Sequence, residues 1–114
     1  MHEYPIAKNL IETCERYARE QHATAVTRIH LVVGESSGIL VESIAMYMDL
    51  IAGGTMCAHA ELDCERIPAR LKCTKCGALF IRQPFSFACP HCGGDGEPTD
   101  IGREFLIKSI EIEK

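Results

Sequence analysis

Apolar residues recur at helical spacing over about 5–22, where Ile6, Leu10, Cys14, Tyr17 and Ala18 share one face. Glu12, Glu15, Arg16, Arg19 and Glu20 supply the wet side, so the segment reads as an amphipathic helix. Pro5 suits a first helical position, because the amide hydrogen it lacks has no intrahelical partner there. Over Val26–Val33 the period shortens to two. Thr27, Ile29, Leu31 and Val33 alternate with Val26, Arg28, His30 and Val32, which predicts a half-buried strand stopped by Gly34. After Ser36, Ser37 and Gly38, a second helical pattern carries Val41, Ile44, Ala45, Met48 and Ile51 and stops at Gly53 and Gly54. Ala60, Leu62 and Cys64 then alternate with Glu61, Asp63 and Glu65, a second strand with one wet face, closing near Pro68. The last segment, Arg103–Glu113, is strand-like but changes phase. Phe105 and Ile107 point one way and Leu106, Ile110 and Ile112 the other, as two partly covered faces or a bulge would produce.

Between the last two strands, residues 71–99 differ in composition: these 29 residues hold four of seven Cys, three of five Pro and four of nine Gly. The expected fold is therefore α/β (α+β): two helices on a three-stranded mixed sheet, with an inserted four-cysteine zinc-knuckle subdomain. Residues 1–70 and 100–114 form the main domain in this reading, and 71–99 the insertion. The full length of 114 residues suits one domain with a small subdomain and excludes large catalytic architectures. A net charge of −4 argues against a protein that binds nucleic acid through phosphates. Seven acidic and basic residues within 1–20 leave no apolar stretch for a signal peptide, and nothing approaches a membrane span. The expected location is the cytoplasm, where clustered thiols bind metal more often than they form disulfides.

The strongest chemical signal is Cys73-Thr-Lys-Cys76-Gly77 and Cys89-Pro-His-Cys92-Gly93, with twelve residues between the pairs. Two residues between thiols let one tight turn aim both sulfurs at a common point, and the following glycine relieves that turn. Two such knuckles supply the tetrahedral donor set of structural zinc. Redox dithiols, a rubredoxin-type iron centre and two disulfides are the alternatives. Four thiolates leave no open coordination position, so a zinc here is structural rather than catalytic. The thiolates subtract four charges and Zn²⁺ adds two, taking −4 to −6 and further disfavouring nucleic acid. Phe80, Phe85 and Phe87 are expected to form the insertion's small core. His91, inside the second knuckle, reads as a solvated bystander, a pH-sensitive neighbour of the metal, or a replacement ligand.

Met1-His2-Glu3 can also be read as a chelator. A free amine, two backbone nitrogens and the His2 imidazole lie within a few bonds of one another and can offer four nitrogens in a plane, which suits Ni²⁺ or Cu²⁺. Any chain can begin with Met, and a His at position 2 is common enough by chance that this reading does not stand on the residues alone.

With those motifs in order, the chain resembles the HypA/HybF family, the nickel-incorporation proteins of NiFe-hydrogenase maturation. The resemblance runs from Met1-His2-Glu3 through Gly34-Glu-Ser-Ser-Gly38, Gly53-Gly54-Thr55 and both cysteine knuckles to Gly102-Arg-Glu-Phe-Leu-Ile-Lys-Ser-Ile-Glu-Ile-Glu113. It implies Ni(II) carried on Met1, His2 and Glu3, and a structural Zn(II) on Cys73, Cys76, Cys89 and Cys92. It implies a HypB-type GTPase and the hydrogenase large-subunit precursor as partners, with no catalytic residues of the chain's own; a homodimer is left open. Tyr4, where an aliphatic residue is more usual, departs from the family pattern. The alternative function is a zinc-ribbon adaptor that transfers no nickel. The remaining candidates read blandly. Cys14 and Cys64 fall on apolar faces as small buried hydrophobes; Cys57, after the Gly53-Gly54 break, is free to be exposed but has no nearby acid–base partner to make it a nucleophile; and His30 is expected to be solvent-facing or hydrogen-bonded. Gly53-Gly54-Thr55 lacks the glycine and lysine of a phosphate loop.

Overall fold

The computed structural model describes residues 3–114. Eight elements follow in the order α1 (Glu3–Glu20), β1 (Ala25–Gly34), α2 (Val41–Ile51), β2 (Glu61–Ile67), β3 (Arg70–Cys73), β4 (Leu79–Ile81), β5 (Gly96–Pro98) and β6 (Phe105–Glu113). The strands form two three-stranded sheets, ordered β2-β1-β6 and β4-β3-β5. The chain divides into two compact units, one of residues 1–32, 39–65 and 106–114, the other of residues 33–38 and 66–105.

In the first unit, α1 buries Ala7, Leu10, Ile11, Cys14 and Ala18, a stripe at helical spacing. Tyr17, expected on that stripe, is instead exposed, with the Arg16 guanidinium 5.3 Å from its ring centre. The helix ends in a Schellman arrangement: Ala23 N–H donates to Ala18 O at 2.9 Å and His22 N–H to Arg19 O at 3.0 Å, with His22 left-handed at φ 57°. α1 packs against α2, where Tyr4 and Tyr47 meet edge to face with centroids 5.7 Å apart.

The sheet of this unit is mixed. Thr24 N–H donates to Glu113 O, setting the start of β1 beside the end of β6, so that pair is antiparallel. Along β1, Arg28 reaches Glu61 and Asp63 of β2, and His30 reaches Asp63, with both strands running the same way. Strict alternation in β1 holds from Arg28 to Val33. Val26 is buried and Thr27 exposed, because Val26 sits under the 52–60 loop and donates its N–H to Met56 O at 2.9 Å. In β6 the half-buried positions change phase between Ile107 and Ile110, with Lys108 and Ser109 both exposed. Leu106 is exposed too, which removes the reading in which both faces of β6 are covered.

The wet face of this sheet is a charge lattice. Arg28 lies 2.8 Å from Glu61, 3.3 Å from Asp63 and 3.6 Å from Glu111. His30 is hydrogen-bonded to Glu111 at 2.8 Å, and Lys108 pairs with Glu65 at 3.2 Å. These groups are exposed or half-exposed, so each pair contributes at most about 1 kcal/mol.

In the second unit, β3 is central and antiparallel to both neighbours, with Leu71 opposite Phe80 and Pro98, and Cys73 opposite Gly96. The sequence pattern predicts none of these three- and four-residue strands, since such short runs carry no readable period. Gly96 is required by close packing: a Cβ there would lie 2.5 Å from Phe80 Cζ and 2.9 Å from Phe87 O.

Candidate metal centre

The two knuckles are built alike. In the first, Gly77 N–H donates to Cys73 O at 3.1 Å, and Cys73 N–H to Ala78 O at 2.9 Å. In the second, Gly93 N–H donates to Cys89 O at 2.8 Å, and Cys89 N–H to Gly94 O at 2.8 Å. Gly77 and Gly93 both adopt left-handed φ, at 74° and 76°, the conformation for which glycine follows each second cysteine. Backbone N–H groups inside each turn point at the first sulfur: Lys75 and Cys76 at Cys73 Sγ, and His91 at Cys89 Sγ, all at 3.4 Å. Asp95 joins the turns, its carbonyl accepting both the N–H and the hydroxyl of Thr74.

The four donor atoms of Cys73, Cys76, Cys89 and Cys92 lie within 4.8 Å of one another, with Cys73–Cys92 at 3.3 Å and Cys76–Cys89 at 3.8 Å. A tetrahedral ion with Zn–S bonds of about 2.3 Å separates its sulfurs by about 3.8 Å. The donor set therefore suits structural zinc, with four soft thiolates and no open position. Cys73 and Cys89 are buried while Cys76 and Cys92 are exposed, so the ion would sit at the surface of a small core. The N–H of Cys76, with that of Lys75, pulls the Cys73 thiol down to about 6 against the effect of burial. For Cys76 the N–H of Ala78 acts downward, but hydrogen bonds with the other thiols and burial outweigh it and push it up to about 11. Crowded thiols divide their protons in this way, and a Zn²⁺ held by Cys73, Cys76, Cys89 and Cys92 would favour all four as thiolates.

The knuckle core is smaller than expected. Cys73, Phe80 and Cys89 form it, with Leu71 packed against them. Phe80 is 4 % exposed, but Phe87 is 60 % exposed and Phe85 fully exposed. The expectation that all three aromatics form the core is corrected: the loop after β4 carries Phe85 outward at φ 59°, and Phe87 lies under the Arg82 guanidinium, 4.6 Å from its ring centre. Two of the three core residues are thus metal-binding thiols.

Met1 and His2, two of the three candidate nickel ligands, lie outside the described residues. Glu3 is the first residue of α1 and places an acid in its first turn. Among the described residues, the four cysteines are the one group of three or more metal-binding side chains with converging donors. Cys57, which the sequence left free to be exposed, is buried near Cys14; no sequence signal pairs the two, because they sit in different elements 43 positions apart. No helix among the described residues is long and apolar enough to cross a membrane.

The family model described as "Hydrogenase/urease nickel incorporation, metallochaperone, hypA" matches residues 1–112. The chain belongs to the HypA family. It is 40% identical to the hydrogenase maturation factor HypA of Caldanaerobacter subterraneus subsp. tengcongensis, over 99% of this chain and all of that protein. It is 37% identical to the hydrogenase maturation factor HypA of Dehalococcoides mccartyi, over 99% of this chain and 95% of that one. Its fold matches the solution structure of the Ni metallochaperone HypA from Helicobacter pylori with a TM-score of 0.66 and 25% identity, covering 99% and 98% of the two chains. A second HypA solution structure matches with a TM-score of 0.70 at 25% identity, covering 98% of this chain and 96% of that chain. Membership of the HypA family makes this chain a nickel-incorporation factor of hydrogenase maturation by kind, and the four-cysteine cluster fits the zinc site expected beside that role.

Proposed function

We propose that the chain binds Ni(II) through Met1, His2 and Glu3 and passes it to the NiFe-hydrogenase large-subunit precursor, working with a HypB-type GTPase in the cytoplasm. Cys73, Cys76, Cys89 and Cys92 hold a zinc that stays with the protein. In this reading residues 1–70 and 100–114 are the nickel-binding domain and 71–99 the zinc-binding one. The chain has no catalytic residues of its own. The reading is supported above all by the HypA family match, which spans 1–112 and so includes the three proposed nickel ligands.

The chemistry of the two donor sets separates their roles. Four thiolates close the coordination sphere of zinc, which favours retention. The amine, two deprotonated backbone nitrogens and the His2 imidazole would hold nickel in a plane, leaving both axial directions to incoming ligands. An acceptor protein can then begin ligand exchange before the carrier has let go. Nickel loading releases the amide protons to solvent, so it strengthens as pH rises.

Metal stoichiometry on the untagged chain tests the proposal. One zinc and one nickel are expected, with His2→Ala losing nickel and keeping zinc. An extension ahead of Met1, which turns the amine into an amide, has the same expected effect. Undiminished nickel binding in both proteins contradicts the chelator. A chain that binds zinc but no nickel at all is the zinc-ribbon adaptor.

A further inference from the structure

Cys14 and Cys57 take no part in either metal site, yet both are placed with care. Cys14 lies on the buried side of α1 at 0 % exposure and Cys57 in the 52–60 loop at 1 %, and each thiol is the main influence on the other's ionisation. Their chain neighbours hold the contact. The carboxylate of Glu15 accepts the N–H of Met56 at 3.0 Å, and the hydroxyl of Thr55 accepts the N–H of Cys57 at 3.1 Å. No disulfide joins any of the seven cysteines.

Two thiols held together by a fold have already lost the chain entropy that opposes a cross-link between distant residues. We infer that Cys14 and Cys57 are a redox modification site, a dithiol that a low-molecular-weight disulfide converts to an intramolecular disulfide. The Cys57 thiolate attacks one sulfur of the small disulfide, forming a mixed disulfide and releasing one small thiolate. Cys14 then gives its proton to solvent and attacks Cys57 Sγ, and the second small thiolate leaves. Two protein thiols are oxidised and one small disulfide is reduced to two thiols.

The environment supports these roles. Interaction with Cys14 pulls the Cys57 thiol down, against burial and the charge of Glu15, and interaction with Cys57 together with burial pushes the Cys14 thiol up. Cys57 lies on a loop held by short-range bonds and Cys14 on the packed face of α1, so Cys57 is the attacking sulfur and Cys14 the resolving one. Buried thiols need an opening to react, and the loop supplies one. Thr55 N–H to Ala52 O, Ala58 N–H to Thr55 O and Ala60 N–H to Cys57 O are all short-range bonds, and Gly53 and Gly54 have open space around them. Lifting Cys57 out breaks these bonds and its anchors to Glu15 and Val26, not the whole unit. The inference does not depend on the nickel reading.

Zinc-loaded full-length chain incubated with oxidised glutathione, quenched by alkylation and mapped by mass spectrometry tests it. The expected product is lighter than the reduced chain by two hydrogen atoms, links the Cys14 and Cys57 peptides, retains one zinc and melts at a higher temperature. Cys14→Ser and Cys14→Ala are expected to stop at a glutathione adduct on Cys57. If neither variant folds, the map of the unaltered chain decides alone. Full alkylation of Cys14 and Cys57 after incubation overturns the inference, as does a first disulfide within the knuckles accompanied by loss of zinc.

Discussion

The helix-and-sheet unit buries hydrocarbon side chains such as Ile29, Leu31, Ile44, Leu10 and Ile11, drawn from two helices and a strand. The knuckle unit has Cys73, Phe80 and Cys89 at its centre, two thiols and one ring, around strands of three and four residues. The first can be held by the removal of apolar surface from water. The second buries too little for that, and its thiols, crowded within 4.8 Å, repel once ionised unless a cation sits between them. Within one short chain, apolar burial and metal ligation thus divide the work of stabilisation. The contrast bears on the proposed function: a metal that holds a core together is not available for export, so in that proposal the exported metal binds elsewhere.

The largest expected effect is zinc removal. Chelation should unfold the knuckle unit, a change on the order of ten kcal/mol by analogy with metal-organised peptides, while the α1 and α2 amides stay protected in hydrogen exchange. Loss of protection throughout both units would show that the division is wrong. Next come single core truncations on each side. Ile29→Ala should cost about 2–5 kcal/mol by denaturant titration without changing zinc stoichiometry. Phe80→Ala should cost about 3–5 kcal/mol and weaken zinc as well, since the ring packs beside two ligands. Gly96→Ala, with its Cβ forced to within 2.5 Å of Phe80, should cost about 1–3 kcal/mol and weaken zinc in proportion, read by competition with a chromogenic chelator. The smallest effect is expected from Phe85→Ala: a fully exposed ring should change stability by no more than about 0.5 kcal/mol, in sharp contrast with Phe80.

That last pair also marks where the sequence was legible and where it was not. The helices, β1, β2 and β6 could be read because each runs long enough for a period of 3.6 or 2 to repeat. Their departures are local: Tyr17 turns to solvent, Val26 is covered by a loop, and β6 slips phase between Ile107 and Ile110. The cysteine knuckles could be read because ligand geometry constrains spacing directly. The short strands β3, β4 and β5 could not, since three or four residues complete no pattern. Phe85 and Phe80 are chemically identical, and only the loop conformation separates the one in the core from the one in water. The meeting of Cys14 with Cys57 likewise depends on how α1 packs against the chain after α2, which is a tertiary fact. The candidate zinc donors were therefore visible in full, while the thiol pair was visible only as two residues.

The central claim is that one metal is retained and another is carried, on separate donor sets. Loading the chain with one equivalent each of zinc and nickel, then challenging it with a modest excess of EDTA and following both metals over time, tests this directly. Nickel is predicted to leave promptly, while zinc and the folded knuckle unit persist. Loss of the two metals together, or nickel that outlasts zinc, would contradict the account.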